Sequence, residues 1–287
     1  MNTISVIGGD LRQTTVARLL RDDGFDVSLY GFDSGVNTYC IKKAGDISSA
    51  AQSDILIMPL PLSCDNETVN APFSGNKIYI SDILENVRKD TILLGGRIND
   101  YLKGEFSAYS LNWRDYLLRE EMAIQNAVPT SEGAINIAIT ETPETIAESS
   151  CMVLGYGRIG KVLCRMLSSL GASVTAAARS CSDLAWIRNE GFTPIHTNDI
   201  ASAIGSCDII FNTIPSVILD RRILSVVSKD ALIIDLSSKP GGVDFDTARE
   251  LNLRVIWALS LPGKIAPVTA GKIIKNTVMN ILNEMGV

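Results

Sequence analysis

The stretch Cys151-Met152-Val153-Leu154-Gly155-Tyr156-Gly157-Arg158-Ile159-Gly160 constrains this chain more than any other. Cys151 to Leu154 is an apolar run too short for a helix and closed by glycine, the pattern of a buried strand. Gly155, Gly157 and Gly160 then fit G-x-G-x-x-G. Behind them Ile159, Val162, Leu163, Met166, Leu167 and Leu170 recur at helical spacing. Gly171 stops that helix, and Ser173 to Ala178 reads as a second strand. In this frame the first glycine permits a tight turn and the second lets a pyrophosphate approach the backbone. The third lets the helix close on the strand. The backbone N–H groups at the positive end of the helix then face the anion. A dinucleotide site is the expectation.

The end of the second strand bears on which dinucleotide. NAD sites usually place Asp or Glu there to hold the ribose 2′-hydroxyl. This chain has Ala178-Arg179-Ser180 instead. Arg179 offers a planar fork of donors and Ser180 a hydroxyl, which suits a 2′-phosphate. NADP is therefore favoured over NAD, against the plainer alternative of a solvated arginine at a strand end.

At 287 residues the chain is long enough for two domains with their own cores. A net charge of -6 with no basic run argues against nucleic-acid binding. No run of about 18 apolar residues suggests a membrane span, and the first residues read as a strand rather than a signal peptide. None of the six cysteines forms C-x-x-C, which points to reduced, buried thiols of a cytoplasmic protein, without zinc or disulfides. The single histidine, His196, reads as a loop residue rather than a catalytic one, so chemistry built on a His–carboxylate pair is disfavoured.

Taken in order, strands alternate with helices, which argues α/β architecture: two Rossmann-like domains with parallel sheets joined by long helices. Strands are expected at residues 5–8, 26–31, 54–59 and 91–95 in the first domain. The second holds 151–154, 173–178, 192–195, a strand from Asp208 that ends in a turn at Asn212-Thr213-Ile214-Pro215, 231–236 and 254–257. Asp10 can cap the first helix, and the turn before it, Gly8-Gly9-Asp10-Leu11-Arg12-Gln13, lacks the full fingerprint. It suggests either a site for a smaller anion, with Arg12 and Gln13 as donors, or an ordinary turn. One helix is expected from Asp115 to Asn126 and another starting at Thr130 or Ser131, whose N-terminus carries Glu132. Residues 260–267 read as a loop before a long terminal helix striped by Ala270, Ile274, Thr277, Ile281 and Met285. The expected domains are 1–128 with 271–287, for substrate, and 129–270, for the nucleotide.

Six motifs carry a resemblance: Gly8-Gly9-Asp10-x-Arg12-Gln13, Pro129-Thr130-x-Glu132-Gly133, Gly155-x-Gly157-Arg158-x-Gly160, Asn212-Thr213-Ile214-Pro215, Pro240-Gly241-Gly242-x-Asp244-Phe245 and Leu261-Pro262-Gly263-x-x-Ala266-Pro267-x-Thr269-Ala270-Gly271. In order and spacing, over nearly the whole chain, they resemble the dipicolinate synthase A-subunit family. The Rossmann part alone also resembles S-adenosylhomocysteine hydrolase and shikimate dehydrogenase. Lys239 stands where the A-subunit family often has arginine, which keeps the charge and loses the bidentate fork.

The resemblance implies NADP-dependent oxidation, with loss of water, of a hydroxytetrahydrodipicolinate to pyridine-2,6-dicarboxylate. It implies a second, flavoprotein-like subunit, work in the cytoplasm of a sporulating mother cell, and leaves homo-oligomerisation open. It also implies a cofactor site at Gly155, Tyr156, Gly157, Arg158, Ile159, Gly160, Arg179, Ser180, Asn212, Thr213, Ile214 and Pro215. A dicarboxylate needs several donors, and Arg12, Gln13, Ser131, Lys239 and Thr269 are the expected ones. Lys239 and Glu132 are the candidates for proton transfer, with a counter-ion role and a first-turn dipole role as their alternatives.

Overall fold

The computed structural model describes residues 2–287. The chain divides into two compact units, residues 1–125 with 266–287, and residues 126–265.

The first unit runs β1 (Thr3–Ile7), α1 (Leu11–Asp22), β2 (Asp26–Tyr30), β3 (Lys42–Lys43), α2 (Ile47–Ala51), β4 (Ile55–Ile57), α3 (Ile80–Asn86), β5 (Ile92–Gly95), α4 (Asp100–Ala108), β6 (Asn112–Asp115) and the start of α5 (Glu120–Glu141). The second holds the rest of α5, then β7 (Ser150–Leu154), α6 (Arg158–Ser169), β8 (Ser173–Ala178), α7 (Cys181–Asn189), β9 (Thr193–His196) and β10 (Ile209–Asn212). It continues through α8 (Arg221–Leu224), β11 (Leu232–Asp235), α9 (Phe245–Glu250), β12 (Arg254–Trp257) and α10 (Leu261–Ile265). The terminal helix α11 (Pro267–Glu284) belongs to the first unit.

Each unit is built on a six-stranded sheet, ordered β3-β2-β1-β4-β5-β6 and β9-β8-β7-β10-β11-β12. Every pairing is parallel. Counted from its own first strand, each sheet has the order 3-2-1-4-5-6, with a switch point between β1 and β4 and another between β7 and β10. Crevices for ligands open beyond the carboxyl ends of the strands at such points. The central strands are buried on both faces, as in β4 and β10, because helices cover both sides of a parallel sheet.

In the first unit one face of the sheet packs Val16 and Leu20 of α1 with Ile274, Val278 and Ile281 of α11. The other packs Ile83 of α3 with Leu102 and Phe106 of α4. Gly271 lets α11 approach α1 closely: a Cβ there would lie 2.6 Å from the Arg12 carbonyl and 2.7 Å from Thr15 Cβ. In the second unit Ala134 and Ala138 of α5 pack with Leu163 and Leu167 of α6, and α8 and α9 cover the opposite face.

Three expectations are corrected. No helix begins at Ser131: α5 is continuous over 22 residues with Pro129 inside it. Proline removes one N–H from the ladder, and that gap falls where the chain passes from one unit to the other. One residue on, Thr130 Oγ1 donates to the Asn126 carbonyl at 2.7 Å. Asn112–Asp115 is an edge strand, so Asp115 does not start a helix. The segment before α11 is not all loop either, since Leu261–Ile265 forms α10, which packs on α5 at Gly133.

Candidate functional site

At the switch point of the second unit the glycine turn is tightly held. Gly155 adopts φ +97, and its N–H donates to the Ala177 carbonyl at 3.0 Å. Thr213 donates both its N–H and its Oγ1 hydroxyl to the Leu154 carbonyl, each at 2.9 Å. A Cβ at Gly160 would run into the Gly155 carbonyl, so α6 can close on β7 only with glycine there. A Cβ at Gly157, by contrast, would meet nothing within 4 Å. Gly157 is also the N-cap of α6 and supplies no side-chain cap, and the first turn of the helix carries no acid. The backbone therefore offers an anion-binding helix end with open space above its second glycine.

A groove of 270 Å³ runs from this turn along the end of β8, past Ala177 and Ala178 to Arg179, with Thr197 and Ile214 on its flanks. Arg179 is exposed. Its backbone is fixed by His196: the Asn198 N–H donates to Nδ1 at 3.2 Å, which makes Nε2 the protonated nitrogen, donating to the Arg179 carbonyl at 3.2 Å. The loop histidine thus holds the strand end on which the groove depends. Ser180 caps α7, accepting from the Asp183 N–H at 3.0 Å and donating to Asp183 Oδ2 at 2.7 Å. Tyr156 also lines the groove. Its ring is buried under Lys161, whose Nζ lies 5.6 Å from the ring centre, and burial followed by the Glu190 carboxylate raises its phenol pKa.

The opposite wall is organised by Asp235, a residue that no sequence motif singled out. Wholly buried at the end of β11, it accepts from Asn212 Nδ2 at 2.8 Å, Ser237 N–H at 3.0 Å, Ser237 Oγ at 2.7 Å and Gly242 N–H at 2.8 Å. Asn212 in turn exchanges hydrogen bonds with Ile214, at 3.0 Å and 3.1 Å. One carboxylate therefore fixes both the Asn212-Thr213-Ile214-Pro215 turn and the loop from Ser237 to Gly242. Trp257 Nε1 closes the loop from below by donating to the Ser237 carbonyl at 3.0 Å. Lys239 sits exposed on the pinned loop. The sequence signal for Asp235 is its position as the last residue of an apolar strand, which takes on meaning only once the loop it serves is known.

The corresponding turn of the first unit is closed. Gly8 and Gly9 both have positive φ, but the Gly9 N–H donates to the Asn70 carbonyl at 2.8 Å, and Val69 lies against Gly8. Arg12 is engaged by Asp10, with Nε at 2.9 Å and 3.1 Å and Nη2 at 2.8 Å, and by the Leu60 carbonyl. Gln13 is fully buried, 3.5 Å from the Tyr116 hydroxyl, which itself donates to the Met58 carbonyl at 2.9 Å. The Gly9 N–H and the Arg12 guanidinium of this turn are thus already partnered within the chain. Thr269 is exposed in the first turn of α11. On α5, Ser131 is buried and Glu132 exposed, both in the helix interior, so neither benefits from a helix N-terminus.

Among the described residues no cluster of His, Cys, Asp and Glu could hold a metal, and no helix is long and apolar enough to cross a membrane. The cysteines are free: Cys40, Cys64 and Cys181 are exposed, while burial pushes the thiols of Cys151 and Cys164 up to about 12 and that of Cys207 up to about 11.

Comparison with known proteins agrees with this geometry. A transhydrogenase from Sinorhizobium meliloti has the same fold at 16% identity, with a TM-score of 0.73 over 98% of this chain and 94% of its own. The crystal structure of the dipicolinate synthase A-subunit from Bacillus halodurans superposes with a TM-score of 0.90 at 30% identity, over 98% of this chain and 97% of its own. Residues 3–117 match the family described as the N-terminal domain of the dipicolinate synthase A-subunit. The dipicolinate synthase A-subunit of Bacillus subtilis is 36% identical over 98% of this chain and 96% of its own length, and its crystal structure superposes with a TM-score of 0.89. Identity at that level, sustained through both units rather than the nucleotide-type fold alone, places the chain in the dipicolinate synthase A-subunit family.

Proposed function

We propose that this chain oxidises 4-hydroxytetrahydrodipicolinate to dipicolinate with NADP as acceptor, losing water in the same transformation. The observation that carries the reading is the glycine turn and groove at one switch point, in the same unit as the pinned loop that carries Lys239. The substrate gives up its hydroxyl and a ring hydrogen as water, and a hydride and a proton, and becomes a pyridine ring. Bound NADP supplies the two-electron acceptor. Aromatisation lowers the free energy of the product, so the protein's main tasks are positioning and moving one proton.

The chain's own residues divide those tasks. Gly155 to Gly160 receive the pyrophosphate on backbone N–H groups, Arg179 reads the 2′-phosphate, and Asn212 to Pro215 form the facing wall. Lys239 meets a substrate carboxylate and is the first candidate for proton transfer, with Glu132 the second. Lys239 carries most of the weight, because Arg12 is already neutralised by Asp10 and Ser131 lies inside a helix. A second, flavoprotein-like subunit belongs to the same reading, as does the cytoplasm of a sporulating mother cell.

The test is the purified chain with freshly made substrate and NADP, read by NADPH absorbance and by mass spectrometry of the pyridine dicarboxylate. Both signals are expected. Lys239→Ala should lower kcat/KM by about a hundredfold, a loss typical of a positioned proton-transfer group, with NADP affinity nearly unchanged. A Lys239→Ala enzyme with wild-type kcat/KM would remove that residue from the chemistry. Nucleotide binding without turnover, even with substrate saturating, would replace this reading by that of a nucleotide-binding protein serving a catalytic partner.

A further inference from the structure

The groove holds a carboxylate where the sequence suggested there was none. Asp183, five residues beyond the strand end at Ala178, lines the same groove as Arg179. Ser180 Oγ donates to Asp183 Oδ2 at 2.7 Å and accepts the Asp183 N–H at 3.0 Å. A hydroxyl has a single proton, so a serine donating to Asp183 has none left for a phosphate. Asp183 Oδ1 accepts no hydrogen bond from the described residues, and an ionised carboxylate only accepts. Such an oxygen favours a sugar hydroxyl and repels a 2′-phosphate. Arg179 does the reverse, and His196 holds its backbone at the rim.

We propose that Asp183 is a specificity-determining residue of the nucleotide groove: it accepts a ribose hydroxyl and, by opposing Arg179, keeps the preference for NADP over NAD small. The proposal rests on the reading of this groove as a nicotinamide-nucleotide site. It differs from that reading in naming which side chain sets the ratio, and in giving Ser180 to Asp183 rather than to the phosphate.

Binding to the full chain separates the two ideas without any turnover. Isothermal titration with NADP, NAD, 2′,5′-ADP and 5′-AMP gives the ratio for the intact cofactors and for their adenosine halves. Asp183→Asn keeps an acceptor for Ser180 and an N–H for the cap but removes the charge. It should tighten NADP and 2′,5′-ADP about tenfold, the size expected for one like charge removed at close range near a protein surface, and weaken NAD and 5′-AMP severalfold. Asp183→Ser, which deletes the carboxylate altogether, should shift the ratio in the same direction, so that agreement between the two variants excludes an artefact of the amide. Arg179→Asp should shift it the opposite way. If wild type binds these nucleotides and both Asp183 variants leave the NADP/NAD ratio where it was, the inference is overturned and the groove reading survives. If wild type binds none of them, both are overturned.

Discussion

The two sheets share strand order and switch point, yet the turns after β1 and β7 present opposite surfaces. After β7, Gly157 has open space above it and the helix end behind it is uncapped by any side chain. After β1, the Gly9 N–H is already bonded to Asn70, Val69 sits against Gly8, and Asp10 caps the helix and binds Arg12. The topology provides a crevice in both units. Whether the crevice can receive an anion is decided by what the chain itself places there. In the first unit the segment between β4 and α3 returns over the turn and supplies the acceptor that a ligand would otherwise provide. In the second, a strand end held by His196 and a loop held by Asp235 leave the turn uncovered.

The contrast can be broken at its strongest point by Gly157→Val. A side chain there should occupy the pyrophosphate's place and reduce NADP affinity on the order of a hundredfold or more, while the melting temperature stays close to wild type because no neighbour is displaced. Calorimetric titration alongside thermal unfolding checks both halves. A folded variant with normal affinity would move the site out of this unit.

Asp235→Ala sharpens the claim that one buried carboxylate shapes the second crevice. It removes one of the two acceptors of the Asn212 amide and strands the Ser237 N–H and hydroxyl and the Gly242 N–H. The expected loss is about 3 kcal/mol of stability in denaturant unfolding, typical of breaking a buried charged network. Loss of stability below about 0.5 kcal/mol, the range of ordinary surface substitutions, would mean that loop and turn are held by something else.

The smallest effect is expected from Gly9→Ala in the first unit. Its φ of +102 disfavours any side chain, and a Cβ would press on the Gln13 side chain at 2.6 Å. The cost should be about 1–2 kcal/mol of stability, with NADP affinity unchanged. A change in nucleotide affinity comparable to that of Gly157→Val would show that the closed turn opens in solution and takes part in binding.

Much of the fold was legible because its strands are buried on both faces and read as short apolar runs, as in β1, β7, β10 and β11, the first two closed directly by glycine. Helices with a clear apolar stripe, α1, α6 and α11, were equally plain. Two edge strands were not: β3 is Lys42–Lys43 and β6 is Asn-Trp-Arg-Asp, both largely polar and paired on one side only, so no hydrophobic pattern marks them. Proline at 129 suggested a boundary because it usually breaks a helix. Here α5 continues through it, and the donors expected at a helix start around Ser131 do not exist.

The sequence by itself determined that there would be alternating strands and helices, and that one glycine turn would open a helix N-terminus after β7, because both depend on neighbours within about a dozen residues. Only the tertiary structure decided which of two similar turns stays open. That depends on groups far apart in the chain: Asn70 reaching Gly9, Asp235 reaching Gly242 and Asn212, and His196 reaching Arg179. A hydrogen bond needs its partners within about 3 Å, and which distant residues meet that condition is set by how the strands order themselves in the sheet.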